Sequence, residues 1–188
     1  MNLSEYQKKA RSTAIYNVDL RMIYPGLGLV GECGEVAEKT KKLYRDDNNK
    51  LTEERKEAIK KELGDCCWYL ANICLDTKFD LQICYEMTSS PQIQRVRQMR
   101  FAQLVLHMNR CSSIVAQSLE SWYYKYDCRP GESSRFMAIP HNITKILVCI
   151  SELASRCDCT LEEIYTINIE KLLSRKKRGK IKGDGDNR

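Results

Sequence analysis

Two stretches of the sequence decide its fold, Gly28-Leu-Val-Gly-Glu-Cys-Gly-Glu-Val-Ala-Glu38 and Glu62-Leu-Gly-Asp-Cys-Cys-Trp-Tyr-Leu70. Each stretch combines apolar residues at helical spacing with two acids at i, i+3: Glu32 with Glu35, and Glu62 with Asp65. A helix turns by about 100° per residue, so Glu32 and Glu62 both fall at about 300° from the first apolar residue of their helix. Glu35 and Asp65 both fall at about 240°. The acids therefore border the apolar stripe on the same side of both helices.

Antiparallel packing of these two helices would bring the four acids together beside the core. Convergent carboxylates repel one another unless cations neutralise them, and ligand sets made only of oxygen atoms suit Mg²⁺. The pattern therefore indicates metal-dependent phosphate chemistry. The alternative is two solvated helix surfaces, because acids at i, i+3 are frequent in a chain that is 30% charged. The periodicity alone favours neither interpretation.

Composition predicts one compact domain over residues 1–188. The chain contains nine glycines and four prolines, which favours long helices with few tight turns. No apolar run approaches the roughly 18 residues of a membrane span, and the N-terminus lacks a secretory apolar region, so we expect a cytoplasmic protein without a membrane partner. The ten cysteines lack paired CxxC spacing and are expected to be reduced core residues. A zinc site is not expected, since the chain has only two histidines, His107 and His141, and no Cys/His cluster.

The sequence predicts an all-α fold, an antiparallel helical bundle. Caps, breakers and apolar periodicity place helices at about residues 3–14, 27–45, 52–77, 80–88, 91–126, 142–156 and 160–178. Loops are expected at 24–28 and 127–140, where proline and glycine occur.

A weak internal sequence similarity appears at an offset of eighty residues, where Cys66–Glu86 aligns with Ile146–Thr166. Both segments read as a helix, a short break with an N-cap, and a second helix, so either a duplication or a chance match of two amphipathic hairpins accounts for them. The acids are not repeated, because position 145 is lysine and 112–115 is Ser-Ser-Ile-Val. One acidic site per chain is therefore expected.

These motifs resemble the MazG-like nucleoside triphosphate pyrophosphohydrolases, an all-α superfamily that includes the dimeric dUTPases and the dCTPases. The ending Asn168-Ile-Glu-Lys-Leu-Leu-Ser-Arg175, followed by Arg178-Gly and Gly183-Asp-Gly-Asp-Asn-Arg188, is similar to the tail of small bacterial and phage members. The resemblance covers about residues 1–75 and 145–188. The chain departs from the family pattern at 76–145, a segment that is either a helical insertion or half of a degenerate repeat.

The resemblance implies a role for each matching residue. Glu32, Glu35, Glu62 and Asp65 would bind Mg²⁺, with Mn²⁺ as a substitute, and water would attack the α-phosphorus of an NTP or dNTP to give the monophosphate and pyrophosphate. Glu32 and Glu35 would be the catalytic carboxylates, with Glu35 accepting the proton of the water. Further contacts to phosphate or sugar are implied for Asn168, Lys171 and Arg175. A homodimer or homotetramer is implied as the assembly.

Three other features leave alternatives open. Tyr69 and Asn72 lie near the acidic edge and could contact substrate, although a core or boundary role fits them equally well. Trp68 is better explained by packing.

The basic run from Lys171 to Lys182 is a solvated tail, a nucleic-acid patch or an arm that closes over an anionic substrate. The main alternative function is a non-catalytic helical protein that binds nucleotide or nucleic acid through this tail. Four retained acids disfavour that alternative, so a nucleic-acid partner is not expected.

Overall fold

The computed structural model describes residues 1–125 and 134–181. Regular structure in these two ranges is entirely helical, which confirms the all-α prediction. The helices are α1 (Leu3–Ser12), α2 (Tyr24–Asp46), α3 (Glu53–Asp76), α4 (Leu81–Glu86), α5 (Ser90–Gln98), α6 (Phe101–Lys125), α7 (Ser134–Arg156) and α8 (Leu161–Lys177). A short 3₁₀ turn, Val18–Leu20, lies between α1 and α2.

Four long helices form the centre of the bundle. α2 packs on α3 and α6 packs on α7, and the two pairs meet through α2 and α6. The apolar stripes predicted from periodicity face this centre: Leu29, Leu63, Met108 and Ile146 are fully buried. α1 and α8 pack on α3, whereas α4 and α5 pack on α7. The acidic edges of α2 and α3 therefore face α8 at the border of the core.

Side-chain caps fix where several helices begin. The Thr52 hydroxyl accepts a hydrogen bond from the backbone N–H of Arg55 at 3.2 Å, and Asp80 accepts from the first turn of α4. Thr160 and Glu163 form the predicted capping box at the start of α8. These caps satisfy N–H groups that have no partner within the helix, so the sequence located these starts correctly.

Three predicted boundaries were wrong. α2 begins at Tyr24 instead of residue 27, because Pro25 lies in the first turn, where its missing N–H leaves no bond unmade. The predicted helix over 91–126 is two helices, since Met99 is extended (ψ 142°) between α5 and α6. The predicted loop over 127–140 is helical from Ser134 onward, with Pro140 inside α7. Residues 127–133 of that loop lie outside the described residues.

The helices of the two halves of the chain correspond at the offset of eighty residues. α3 and α7 end eighty positions apart, at Asp76 and Arg156, and the N-caps of α4 and α8, Asp80 and Thr160, have the same separation. The packing corresponds as well: α8 lies on α3, and α4 with α5 lies on α7. The interpretation of 76–145 as an insertion or as half of a repeat stays a prediction.

The described cysteines are core thiols, as the sequence predicted. Nine cysteines lie in the described residues and all nine are free; eight are buried and Cys159 is partly exposed. Among the described helices, none is both long and apolar enough to cross a membrane.

Candidate metal and nucleotide site

Glu32, Glu62 and Asp65 converge where α2 packs on α3. One carboxylate oxygen from each lies within 4.8 Å of the others, and all three side chains are partly buried. The spacing of three residues on α3 points Glu62 and Asp65 to the same side, and the α2 residue Glu32 faces them. Three of the four predicted ligands are therefore brought together.

Glu35 lies outside this group of three. Its side chain is 54% exposed and receives a hydrogen bond from Lys39 at 3.3 Å. Lys39 also lies 3.4 Å from Glu62, so its ammonium group links the fourth acid to the others. Glu35 is one turn from Glu32 on α2, and its charge contributes to the negative potential at Glu32.

The position of Glu32 in this group changes its pKa. Burial raises the pKa of Glu32 to about 7, and the negative charges of Asp65 and Glu62 act in the same direction. The positive charge of Lys171 partly opposes this rise. A carboxyl group that keeps its proton up to neutral pH lies where negative charge exceeds the nearby positive charge, and a bound cation would balance it.

α8 supplies two groups to Asp65. The Lys171 Nζ atom lies 2.9 Å from each Asp65 oxygen, and the Asn168 amide donates to Asp65 Oδ1 at 2.6 Å. These residues thus reach the acids of their own chain. Arg175, one turn beyond Lys171, is 5% exposed.

Tyr6 completes this arrangement and was missed from the sequence. Its hydroxyl donates to Asn168 Oδ1 at 3.0 Å, in a fully buried position on α1. With its oxygen accepting from Tyr6, the Asn168 amide presents its N–H₂ group to Asp65. Nothing in the spacing of α1 signals this contact, which joins residues 162 positions apart. Lys39 was also missed, although its position four residues after Glu35 gave a signal.

Two glycines of the motifs allow close packing around the site. A Cβ atom on Gly28 would lie 2.1 Å from the ring of Tyr69, and one on Gly64 would lie 3.0 Å from the Cβ atom of Asn168. By contrast, a Cβ atom on Gly31 or Gly34 would meet nothing within 4 Å. Gly28 thus lets the Tyr69 ring pack against α2, and Gly64 lets α8 approach α3.

Aromatic rings lie beside the acids. The Tyr69 ring contacts Trp68 edge-on at 4.9 Å between centroids and lies 6.4 Å from Tyr24, which stacks on Tyr16 at 5.0 Å. Tyr69 is half-buried, and its pKa is raised by burial and then by the nearby charges of Tyr24 and Glu32. The Trp68 indole N–H donates to Thr13 at 2.8 Å, which confirms that Trp68 packs against α1.

Asn72 lies in a buried network beneath these rings. Its amide donates to the carbonyl of Trp68 at 2.9 Å and accepts from the Tyr16 hydroxyl at 3.3 Å. Arg11 and Asp76 form an ion pair in the same network. Asn72 is 0% exposed, so its contacts here are to protein, and a contact with substrate stays a prediction.

Comparison with known proteins places this site in a family. The model of the MazG nucleotide pyrophosphohydrolase domain matches residues 26–96. The chain is also 39% identical over 80 residues to the Gene 37 protein of Mycobacterium phage L5, an alignment covering 39% of this chain and 69% of the phage protein. The chain belongs to the MazG nucleotide pyrophosphohydrolase family. No solved structure matches it.

The matched region contains the acids contributed by α2 and α3. Residues 26–96 include Glu32, Glu62 and Asp65, whereas Asn168 and Lys171 lie outside the match. The family makes a nucleotide substrate plausible, and the three acids are able to bind a metal ion. The end of the basic tail, Lys182 and 183–188, lies outside the described residues.

Proposed function

We propose that the protein is a Mg²⁺-dependent pyrophosphohydrolase that converts an NTP or dNTP to its monophosphate and pyrophosphate by water attack at the α-phosphorus. One observation carries the proposal: three partly buried carboxylates from α2 and α3 converge within 4.8 Å, and an ammonium group from α8 lies against one of them. Membership of the MazG family supports the reaction class.

The donor set suits the proposed metal ion. Glu32, Glu62 and Asp65 offer only carboxylate oxygens, which Mg²⁺ and Mn²⁺ prefer. The Lys171 ammonium group takes the place of a metal cation here, since it neutralises Asp65. When bound, the metal ion would neutralise phosphate charge and lower the pKa of a coordinated water.

The cations of α8 are proposed to hold the substrate phosphates. Lys171 would leave Asp65 when a divalent cation neutralises the carboxylate, and its ammonium group would then contact a phosphate oxygen. Asn168 is proposed to bind a phosphate or sugar oxygen, and Arg175 to bind phosphate through its guanidinium group. Tyr6 would act as a positioning residue, because it orients the Asn168 amide.

Glu35 is proposed to accept the proton of the attacking water. It lies one turn from Glu32, outside the three convergent acids, and its exposed carboxylate retains free lone pairs beside the Lys39 ammonium. The half-buried Tyr69 ring is proposed to contact the base or sugar, because it lies next to the acids and within an aromatic group. Asn72 would support this surface through its bond to Tyr16.

The test is hydrolysis of a panel of NTPs and dNTPs with Mg²⁺ or Mn²⁺ in ¹⁸O-labelled water. We expect the monophosphate and pyrophosphate as products, with the label in the monophosphate, because attack at the α-phosphorus places the new oxygen there. Glu32→Gln and Asp65→Asn should each lower turnover by at least about a hundredfold. Glu38→Gln is the matched control on α2, since Glu38 pairs with Lys41 and Lys42, and it should stay within about twofold.

Three outcomes would contradict the proposal. Label in pyrophosphate would place the attack at the β-phosphorus, and release of orthophosphate would indicate a different reaction. If no nucleotide is hydrolysed while removal of residues 179–188 abolishes nucleotide or nucleic-acid binding, the chain is a binding protein. The homodimer or homotetramer stays a prediction, which light scattering on the purified protein tests.

A further inference from the structure

A small cavity lies between α5, α6 and α7, helices that supply no carboxylate to the acidic site. It has a volume of about 90 Å³, and four of its described lining residues carry basic side chains: Arg95, His107, Arg110 and Lys145. The remaining ones are Gln92, Val96 and Val148, so no described lining residue is acidic. Three helices thus bring basic groups to one small space.

Three of these basic residues form no ion pair with another described residue. No ion pair there includes Arg95, Arg110 or Lys145, although Lys145 is half-buried. Elsewhere in the bundle, partly buried cations such as Arg55, Lys39 and Lys171 each contact a carboxylate. Arg95 and Arg110 are exposed, so solvent screens part of the repulsion among the three like charges, and an anion in the cavity would be attracted by all three.

His107 lies among these positive charges. Burial lowers the pKa of His107, and the charges of Arg110, Lys145 and Arg95 lower it further. Arg110 donates to His107 Nδ1 at 3.0 Å, which requires the neutral ring with its proton on Nε2. The neutral ring therefore lies among three cations, with its Nε2 atom 4.0 Å from the Cys111 sulfur.

The position of the cavity in the fold matches that of the acidic site. Lys145 lies on α7 eighty positions after Asp65 on α3, and Arg95 lies on α5 eighty positions before Arg175 on α8. α4 and α5 pack on α7 as α8 packs on α3, so the offset relates structurally equivalent places. Where one half of the bundle carries aspartate, the other half carries lysine facing a basic cavity.

We propose that this cavity binds one phosphate group directly, without a divalent cation, at the place where the other half of the bundle has its acidic site. Arg95, Arg110 and Lys145 supply charge-assisted hydrogen bonds to the phosphate oxygens. A volume of about 90 Å³ holds roughly three waters, which suits a single phosphate group. The rest of the ligand, the second phosphate of pyrophosphate or the nucleoside of a nucleotide, remains outside.

The proposal goes beyond hydrolysis at the acidic site and does not require turnover. Without metal, three clustered carboxylates repel anions at the acidic site, and the histidine resonances then separate binding in the cavity from binding to the cations of α8. The full chain is stripped of metal on a chelating resin, since a soluble chelator such as EDTA is itself an anion. Inorganic phosphate, inorganic pyrophosphate and a nucleoside triphosphate are titrated separately by calorimetry, which separates a site for the free anion from one for a nucleotide.

Imidazole NMR locates the bound anion. The chain has two histidines, His107 in the cavity and the exposed His141 on α7. Pyrophosphate should bind at one site per chain and shift the His107 resonances, and it should leave those of His141 unchanged. Because this measurement uses the unaltered protein, it does not depend on whether a variant folds.

Matched variants test the charges. Lys145→Gln and Arg95→Gln should each weaken pyrophosphate binding about tenfold. Lys8→Gln and Arg100→Gln remove equal charge from exposed positions outside the cavity and should change affinity less than twofold. Hydrolysis at the acidic site can persist or fail independently of these results, so a failure of the proposed function is distinguishable from a failure of this proposal.

Several results would overturn the proposal. These are no metal-free binding of any of the three anions, equal loss of affinity in the cavity and control variants, or equal shifts of both histidines. Binding that appears only with an oligonucleotide would likewise contradict it, because that would make the cavity part of a nucleic-acid surface.

Discussion

The Lys171 ammonium nitrogen lies 2.9 Å from both carboxylate oxygens of Asp65, so a cation from α8 pairs with one of the three convergent acids. This ion pair joins α3 to α8 and neutralises one of the three clustered carboxylates. Lys171, the proposed phosphate-binding group, would therefore compete with a metal ion for Asp65.

Removing the Lys171 charge should separate metal binding from hydrolysis. In Lys171→Gln, Mn²⁺ affinity measured by electron paramagnetic resonance without nucleotide should increase about tenfold, because no ammonium group competes for Asp65. Nucleotide turnover should fall by about a hundredfold, since a phosphate contact is lost. Lys177→Gln, an exposed lysine further along α8, should change neither quantity. Weaker Mn²⁺ binding in Lys171→Gln would contradict the competition.

Gly28, at the close contact with Tyr69, should not tolerate alanine. Gly28→Ala places a methyl group 2.1 Å from the Tyr69 ring, so the free energy of unfolding should fall by about 1–3 kcal/mol. Gly31→Ala is the matched substitution on the same helix. It meets nothing within 4 Å and should stabilise the protein by about 0.5–1 kcal/mol through helix propensity. Urea unfolding measures both; equal effects would show that the Tyr69 contact imposes no constraint.

The elevated pKa of Glu32 makes the metal-free protein less stable at higher pH. The unfolded chain ionises this carboxyl near its ordinary pKa of 4.5, whereas the folded protein keeps the proton up to about pH 7. The free energy of unfolding should therefore fall as pH rises from 4.5 to 7 and stay reduced above pH 7. The full shift corresponds to about 3 kcal/mol, and solvent screening at this partly exposed group reduces it to about 1–2 kcal/mol.

Glu32→Gln tests this pH dependence. In metal-free protein the variant should be more stable than the wild type by about 1–2 kcal/mol above pH 7 and equal to it below pH 4.5. Urea unfolding at pH 4 and pH 8 gives the two differences. Glu120→Gln alters an exposed carboxyl on α6 and serves as the control. A difference that is the same at both pH values would rule out a titration of Glu32.

The Tyr6 hydroxyl should matter for both stability and activity. Tyr6→Phe leaves Asn168 Oδ1 without its donor in a buried position, which should cost about 1–2 kcal/mol of unfolding free energy. Because the amide then keeps only its bond to Asp65 to orient it, turnover should fall about tenfold. Tyr165→Phe is the control: its ring packs 5.1 Å from that of Tyr6, but its hydroxyl bonds to the carbonyl of Met1, away from the acids. Equal loss of activity in both variants would remove the positioning role.

Local patterns predicted the helices better than their breaks. The periodicity of Leu29, Cys33 and Val36 placed α2 on the core, and Thr52, Asp80 and Thr160 located helix starts through bonds to neighbouring residues. The break at Met99 escaped notice, because no proline or glycine marks it and the neighbouring residues are compatible with helix. Pro25 suggested a loop, although proline is also favoured in a first helical turn.

The site was only partly predictable. Acids at equal angles on α2 and α3 predicted convergence, and Glu32, Glu62 and Asp65 do converge. Glu35 has the same angular position as Asp65, yet it stays outside the group of three, because its place along α2 leaves it exposed beside Lys39. Angular position describes the face of a helix, whereas the height at which two helices meet depends on packing.

The sequence by itself determined the all-α class, the apolar faces and the residues that could form an acidic site, because these follow from helical periodicity within about twenty residues. Tertiary structure alone decided that Lys171 neutralises Asp65, that Tyr6 orients Asn168, and that Arg95, Arg110 and Lys145 share a cavity. These contacts join different helices across the bundle. Their formation depends on how the buried apolar faces pack together, and no local pattern encodes that packing.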